Sequence, residues 1–433
     1  MSIHRDVVQA EKISFTELFS HEGMWRGLGW GLCFISLLGF SPRLFHFQEY
    51  VFFVLLGFGI LACLCKRRSL KIGSSLTIPF LLFGGWVAIT IPFSIDPLVS
   101  LQEWQKVVAQ FAVFYGTCLI AREQQAKPFQ RNILTVLGLG TFLSCTYSLL
   151  DFWGRGGNIW DRNIRAGFPL SDGPDFTWLS TNVLMVLPML AVGLFVEKSP
   201  WKKIGWSVTI MLAIFGLVFS YTRGVWLGFF VQVVLAVCIM NRRVGWWMMG
   251  VGASLAIVLV LVVASLGLHR ETLDPWTVKA RLAIWEMGVA DILEHPIAGV
   301  GYGIPIFQKR HADDIAQLET VVTGIPKIPE KPHNWYLMIA MGSGLPGLLF
   351  FMFLLSRTWM ILWAGLNEAL RTDQRFWILG TLLMATGFFI RNIFDDSFGG
   401  SHSYLCWMLI GCSVVLIQHA RAMKSDGNPS SAE

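Results

Sequence analysis

Apolar runs of about twenty residues recur along almost the whole chain, each long enough to cross the roughly 30 Å hydrocarbon core of a bilayer. Twelve can be placed, near 24–41, 46–65, 76–94, 102–121, 132–153, 176–196, 204–221, 224–241, 244–268, 334–355, 376–394 and 402–419. In hydrocarbon every backbone N–H and C=O must be satisfied by the protein itself, so such runs fold as helices. The expected fold is an all-α polytopic membrane protein with about twelve transmembrane helices. Only 14% of the 433 residues are charged and 54% are hydrophobic, against about 25% charged in a soluble domain. That excludes a soluble multidomain protein and a disordered chain, and nothing in the sequence reads as a nucleic-acid patch. The eight cysteines all lie in or at the ends of apolar runs, which suits free thiols packed as small hydrophobes.

Two spans need an argument. From Ile204 to Asn241 the only charge is Arg223, in Ser220-Tyr221-Thr222-Arg223-Gly224. Thirty-eight residues are enough for two spans joined by a minimal turn and too many for one. With twelve spans both termini fall on one side, and that side holds twenty of the 34 Lys and Arg. The short connections on the other side hold seven: Arg43, Lys106, Arg155, Arg162, Arg165, Arg223 and Arg391. The excess predicts cytoplasmic termini. The expected organisation is residues 1–268 as helices one to nine, 269–333 as a large outer loop, 334–420 as helices ten to twelve and 421–433 as a disordered tail. Tryptophans near span ends, among them Trp25, Trp104, Trp153, Trp178 and Trp335, suit an interfacial belt.

The outer loop is the sizeable segment outside the membrane. Val278, Leu282, Trp285, Val289 and Ile292 recur at helical spacing, which predicts an amphipathic helix over 276–294 with Arg281 at the margin of its apolar stripe. Gly299-Val300-Gly301-Tyr302-Gly303 lacks the Lys-Ser/Thr ending of a phosphate-binding loop and reads as a turn, and the stretch after it reads as irregular.

A charge in or beside a membrane is costly and marks a candidate functional site. Arg223 stands in a turn too short to carry it away from the bilayer, with no acidic neighbour in sequence. A snorkelling arginine is its bland alternative. Arg281 has Glu286 and Asp291 within reach along its helix, and His333 stands where the loop re-enters the membrane. No histidine pair has metal-protease spacing and no Cys-x-x-Cys occurs, so the reading includes neither metal nor cofactor. Arginines facing an outer cavity suit a pyrophosphate, because guanidinium grips phosphate oxygens in bidentate fashion. A nearby histidine suits removal of a proton from an attacking hydroxyl. Together they suit glycosyl transfer from a lipid-pyrophosphate sugar donor.

These residues also carry a resemblance. Ser220-Tyr221-Thr222-Arg223-Gly224-Val225-Trp226, then Arg281-Leu282-Ala283-Ile284-Trp285-Glu286, then Gly299-Val300-Gly301-Tyr302-Gly303 and Pro332-His333-Asn334 resemble the successive signatures of the O-antigen ligase superfamily. The resemblance implies a GT-C-like glycosyltransferase of the bacterial inner membrane, with a periplasmic loop and a periplasm-facing site. It implies transfer of O-antigen polysaccharide from undecaprenyl pyrophosphate to a sugar hydroxyl of lipid A-core, without a metal. Arg223 and Arg281 correspond to the donor-pyrophosphate arginines of such proteins and His333 to the catalytic histidine. Arg391 and Asp395, in Arg391-Asn392-Ile393-Phe394-Asp395-Asp396, take a supporting role in charge balance or acceptor contact. Arg155, Arg162 and Arg165 either steer the anionic substrates or form a plain solvated loop.

Two alternatives stay open. An O-antigen polymerase would use the same donor with a lipid-linked acceptor. Its Arg-x10-Gly spacing is met once here, by Arg162 and Gly173, and not by Arg281 or Arg310. An anion or lipid transporter would place its ionisable residues at mid-membrane, whereas these gather at the outer rim.

Overall fold

The computed structural model describes residues 25, 27–32, 53, 54, 57, 74–124, 126–158, 164–170, 173–241, 243, 275–321 and 331–425. Most of the expected first and second spans, the whole of the ninth, Arg162 and the tail from 426 lie outside the described residues. Within them the chain runs α1 (Thr77–Thr90), α2 (Pro97–Arg122), α3 (Ala126–Gly154), β1 (Phe168–Leu170), β2 (Gly173–Asp175), α4 (Phe176–Val196), α5 (Pro200–Phe219) and α6 (Arg223–Met240). It resumes with α7 (Pro275–Glu294), α8 (Ile304–Arg310), α9 (Ala312–Val321), α10 (Trp335–Glu368), α11 (Thr372–Arg391) and α12 (Ser401–Ser425).

Six of these, α3, α4, α5, α6, α10 and α12, are long and apolar enough to cross a membrane. The chain is a multi-pass helical membrane protein. Among the described residues there is one strand pair, antiparallel β1–β2, three residues a side with Phe168 opposite Asp175. In α4 and α12, 78% and 83% of the apolar stretch is buried, against 28% and 22% in α5 and α6. The first two are the centre of the described bundle and the second two its rim. α11 packs on α4 and α6, α12 on α2, and α1 on α10. Gly380 lets α11 approach closely, since a Cβ there would lie 2.7 Å from Val192 of α4.

The pair around Arg223 resolves as argued. α5 ends at Phe219, Ser220 to Thr222 turn the chain, and Arg223 is the first residue of α6.

α10 is not one straight helix. Gly344 leaves helical geometry at φ 73° and ψ 176°, and Pro346 follows it. A break inside a bundle strands backbone groups that must find partners, and the glycine-rich stretch of the loop supplies them. Val300 and Gly301 donate to the carbonyls of Met341 and Gly342 at 3.0 and 3.1 Å, Leu345 donates to Pro296 O at 2.8 Å, and Trp86 Nε1 donates to Ser343 O at 2.8 Å. The expected turn at Gly299 to Gly303 is thus a backbone clamp between the loop and α10. Gly299, at φ +71°, has no room for a Cβ, which would lie 2.5 Å from Met341 O.

The part of the loop expected to be irregular contains α8 and α9. They are tied to α7 through Asp291, which accepts from Arg310 Nε at 2.5 Å and meets His311 Nε2 at 2.8 Å. The buried face of α7 is also rotated from the expected stripe. Ile284, Gly288 and Asp291 are buried and Arg281 is half-buried, while Leu282 and Val289 are about half exposed, at 50% and 47%. The face turned to the bundle mixes Ile284 with Gly288, Asp291 and Arg281, and the outward face mixes Leu282 and Val289 with Glu286. Trp178 and Trp335 likewise correct the belt, being buried against His402 and Phe398.

Candidate functional site

One end of the bundle gathers the N-termini of α6 and α10, the C-terminus of α11 and the start of α4, with α7 laid against them. Its centre is an ion pair in which Arg391, the last residue of α11, donates through a terminal nitrogen to Asp395 Oδ2. Both residues are only 3% exposed. Arg391 also donates to Phe394 O at 3.2 Å, and Ser397 Oγ donates to Asp395 Oδ2 at 3.1 Å. The turn after α11 therefore folds back around its own arginine.

His333 lies against the other carboxylate oxygen, with Nδ1 3.7 Å from Asp395 Oδ1, an ion-pair distance rather than a hydrogen bond. Its backbone is left-handed at φ 48°. Among the described residues, one other non-glycine residue has positive φ, Tyr221 at 50°, two positions before Arg223. Backbone strain of this kind persists only where the surroundings fix it, and it gathers at functional sites. Here the surroundings are specific. Asn334 caps α10 by accepting from Leu337 N at 3.0 Å, and Trp335 N donates to the carbonyls of Asn392 and Asp395 at 3.0 Å each. From the loop side Trp285 Nε1 donates to Pro332 O at 2.8 Å.

Of the other two arginines, Arg281 lies near the same carboxylate and Arg223 lies near Arg281. Arg281 is within electrostatic reach of Asp395 and Arg223, and its charge also acts on Arg391. Burial lowers its pKa, Asp395 opposes that, and the Arg223 charge adds to it. Asp291 is engaged by Arg310 and His311, and Arg281 Nε is buried without a hydrogen-bond partner. Arg223 is exposed at the N-terminus of α6, where unsatisfied N–H groups and the helix dipole favour an anion. That helix end packs onto Arg391, since a Cβ at Gly224 would lie 3.1 Å from an Arg391 terminal nitrogen.

Three residues of the site were not singled out from sequence. Asp175, the helix cap of α4, accepts from Trp178 N at 2.8 Å and faces Asp395 and Lys331. Burial and the neighbouring Asp395 raise its pKa, against the hydrogen bond from Trp178 N and the Lys331 charge. Lys331 meets Asp396 Oδ2 at 2.8 Å. Burial raises Asp396 first, with Lys331 pulling the other way and Asp395 adding to the rise. The available signal was adjacency, as Lys331 is two residues from His333 and Asp396 follows Asp395.

His333, Asp395 and Asp396 offer donor atoms within 4.8 Å of one another, spacing that a metal ion would accept. Each carboxylate already holds a cation, Arg391 on one and Lys331 on the other, with Arg281 beside them. The surroundings are built for an anion. Arg155 and Arg165 belong to the neighbouring loop. Arg155 binds Asp151 Oδ2 and Arg165 O, both at 2.8 Å, and Arg165 stacks 4.6 Å over the ring of Phe176, next to Asp175. They form a wall beside the site, outside its centre.

A bundle of apolar helices that gathers three arginines, a histidine and a buried carboxylate at one end defines a multi-pass membrane protein with a charged cluster at one end of its bundle. Residues 208–352, about a third of the chain, match the family model described as O-antigen ligase, and over that segment the chain is similar to that family. The matched segment contains Arg223, Arg281 and His333, while Arg391 and Asp395 lie beyond it. No curated protein sequence matches the chain significantly.

Proposed function

We propose that this protein is an O-antigen ligase, transferring O-antigen polysaccharide from undecaprenyl pyrophosphate to a sugar hydroxyl of lipid A-core at the periplasmic face of the inner membrane. The observation that carries the reading is the gathering of Arg281 and Arg391 about Asp395 and His333, with Arg223 within electrostatic reach of Arg281, from four chain segments at one end of the bundle. The twelve-span topology with cytoplasmic termini and a periplasmic 269–333 loop belongs to the same proposal, as does the GT-C-like architecture.

In this reading Arg223 and Arg281 bind the pyrophosphate oxygens and Arg391 holds Asp395. With His333 Nδ1 toward Asp395, its Nε2 is left to accept the proton of the acceptor hydroxyl. The hydroxyl oxygen forms a bond to the anomeric carbon, and the bond from that carbon to the pyrophosphate breaks. Undecaprenyl pyrophosphate leaves with the electron pair, its growing charge held by guanidinium groups in a water-poor site. No metal is required in this scheme, because the arginines supply the positive charge.

The test is lipopolysaccharide from a strain lacking the gene. Bare lipid A-core, with full-length polymer retained on undecaprenyl pyrophosphate, is the expected result. Core capped by a single repeat would identify a polymerase instead, and normal lipopolysaccharide would exclude both transferases.

Arg223→Lys is expected to raise the donor KM about tenfold in purified enzyme, because the point charge remains and the bidentate fork is lost. An unchanged donor KM and rate would return Arg223 to an interfacial anchor.

A further inference from the structure

On α7, Arg281 and Trp285 are one turn apart and share the face turned to the bundle. Gly288, one turn further on, sets how near that face comes, since a Cβ there would lie 3.2 Å from Leu337 of α10. At this distance the Trp285 indole spans to the loop's return and donates its N–H to Pro332 O at 2.8 Å. Pro332 O belongs to the peptide plane that precedes His333, and rotation of that plane is what sets φ at His333. The indole bond is the hold on the carbonyl of that plane from the side of α7. On the far side Trp335 N is fixed by Asn392 O and Asp395 O.

We infer that Trp285 is a positioning residue for His333: its N–H holds the Pro332 carbonyl, keeps His333 in the left-handed backbone, and so keeps the imidazole beside Asp395. The left-handed conformation is disfavoured for a residue with a Cβ, and a buried hydrogen bond is of comparable strength. Without the indole N–H the peptide plane would rotate toward negative φ and carry the imidazole off Asp395. One helix thereby sets both an arginine proposed for the donor and the base proposed for the acceptor. This inference rests on the reading of His333 as general base.

The experiment compares wild-type enzyme with Trp285→Phe, and with the benzothiophene analogue of tryptophan placed at 285, which keeps the bicyclic shape and lacks the N–H. Both are assayed with purified lipid-linked O-antigen and lipid A-core, alone and combined with His333→Ala. A fall in kcat of about 10- to 100-fold is expected, since displacement of a catalytic group by about an ångström costs up to that much. The donor KM should stay within about threefold. In the His333→Ala background the same replacements should cause no further fall, because their effect acts through the missing imidazole. Equal losses in both backgrounds would show a merely structural tryptophan and overturn the inference, as would an undiminished kcat. Near-normal transfer by His333→Ala alone would instead overturn the proposed role of His333, a separate and recognisable failure.

Discussion

His333→Ala is expected to lower transfer by roughly 10²–10⁴-fold, the contribution of a positioned general base, with the protein still inserted and folded. The substitution removes an imidazole that is 23% exposed in its side chain and faces Asp395. What holds α10 in place is the cap from Asn334 and the pair of bonds from Trp335 N, and these remain. Donor affinity should change little, because the proposed pyrophosphate contacts come from Arg223 and Arg281 on other helices. Alanine tolerates the left-handed backbone poorly, so His333→Asn is the matching control. Asparagine accepts positive φ more readily and should be as inactive as the alanine variant. If purified His333→Ala transfers near the wild-type rate, His333 is a residue of the loop return and the proton acceptor lies elsewhere.

The parts of this site legible in the sequence were those whose bland explanation was weak. Arg223 stood in a turn with no room to leave the membrane surface and no acid nearby, and the structure sets it at the N-terminus of α6 against Arg391. His333 stood at the loop's return, beside a residue of capping type. The short-turn argument for the α5–α6 pair succeeded because it rested on chain length, which three-dimensional context cannot alter. Less was legible where the periodicity rule assumes that apolar means inward. On α7 the outward face carries Leu282, Val289 and Leu293, at 50%, 47% and 76% exposed, beside Glu286, and the inward face carries Ile284, Gly288 and Asp291 with Arg281 half-buried. Apolar residues are thus divided between the two sides, and their spacing alone does not tell which side meets the bundle. The glycine-rich clamp was hidden for another reason. Its partners, Met341 and Gly342, are some forty residues further along the chain, and nothing local distinguishes such a clamp from a turn. Asp175 was hidden because a carboxylate ahead of an apolar helix is sufficiently explained as a cap, and it is one.

Asp395→Asn is expected to show whether the buried ion pair is part of the machinery or only of the fold, because it should affect both in separable ways. Asparagine keeps the shape and an oxygen acceptor for Arg391 and Ser397, and removes the charge. Arg391 would then be left 3% exposed with Arg281 acting on it, and the carboxylate still within electrostatic reach, Asp396, is already paired with Lys331. Breaking one side of a buried pair costs about 3–5 kcal/mol, and less where a hydrogen bond survives. The thermal transition in detergent should therefore fall measurably at neutral pH. The dependence on pH has a definite sign. Burial works to raise the Asp395 pKa, but His333 and Arg391 outweigh it and hold the carboxyl well below the usual carboxylate range. A depressed carboxylate contributes stability that is present above its unfolded pKa and is lost as pH falls through the folded value. The gap in stability between wild type and Asp395→Asn should thus be constant from about pH 5 to 8 and close as pH drops below about 4. Activity should fall further than stability explains. The Nδ1 of His333 loses the anion that orients it, which removes roughly 10²-fold even in protein that remains folded. A variant with wild-type stability and rate across that range would mean that Arg391 finds its counter-charge in Asp396, and that Asp395 neither supports the fold nor orients His333.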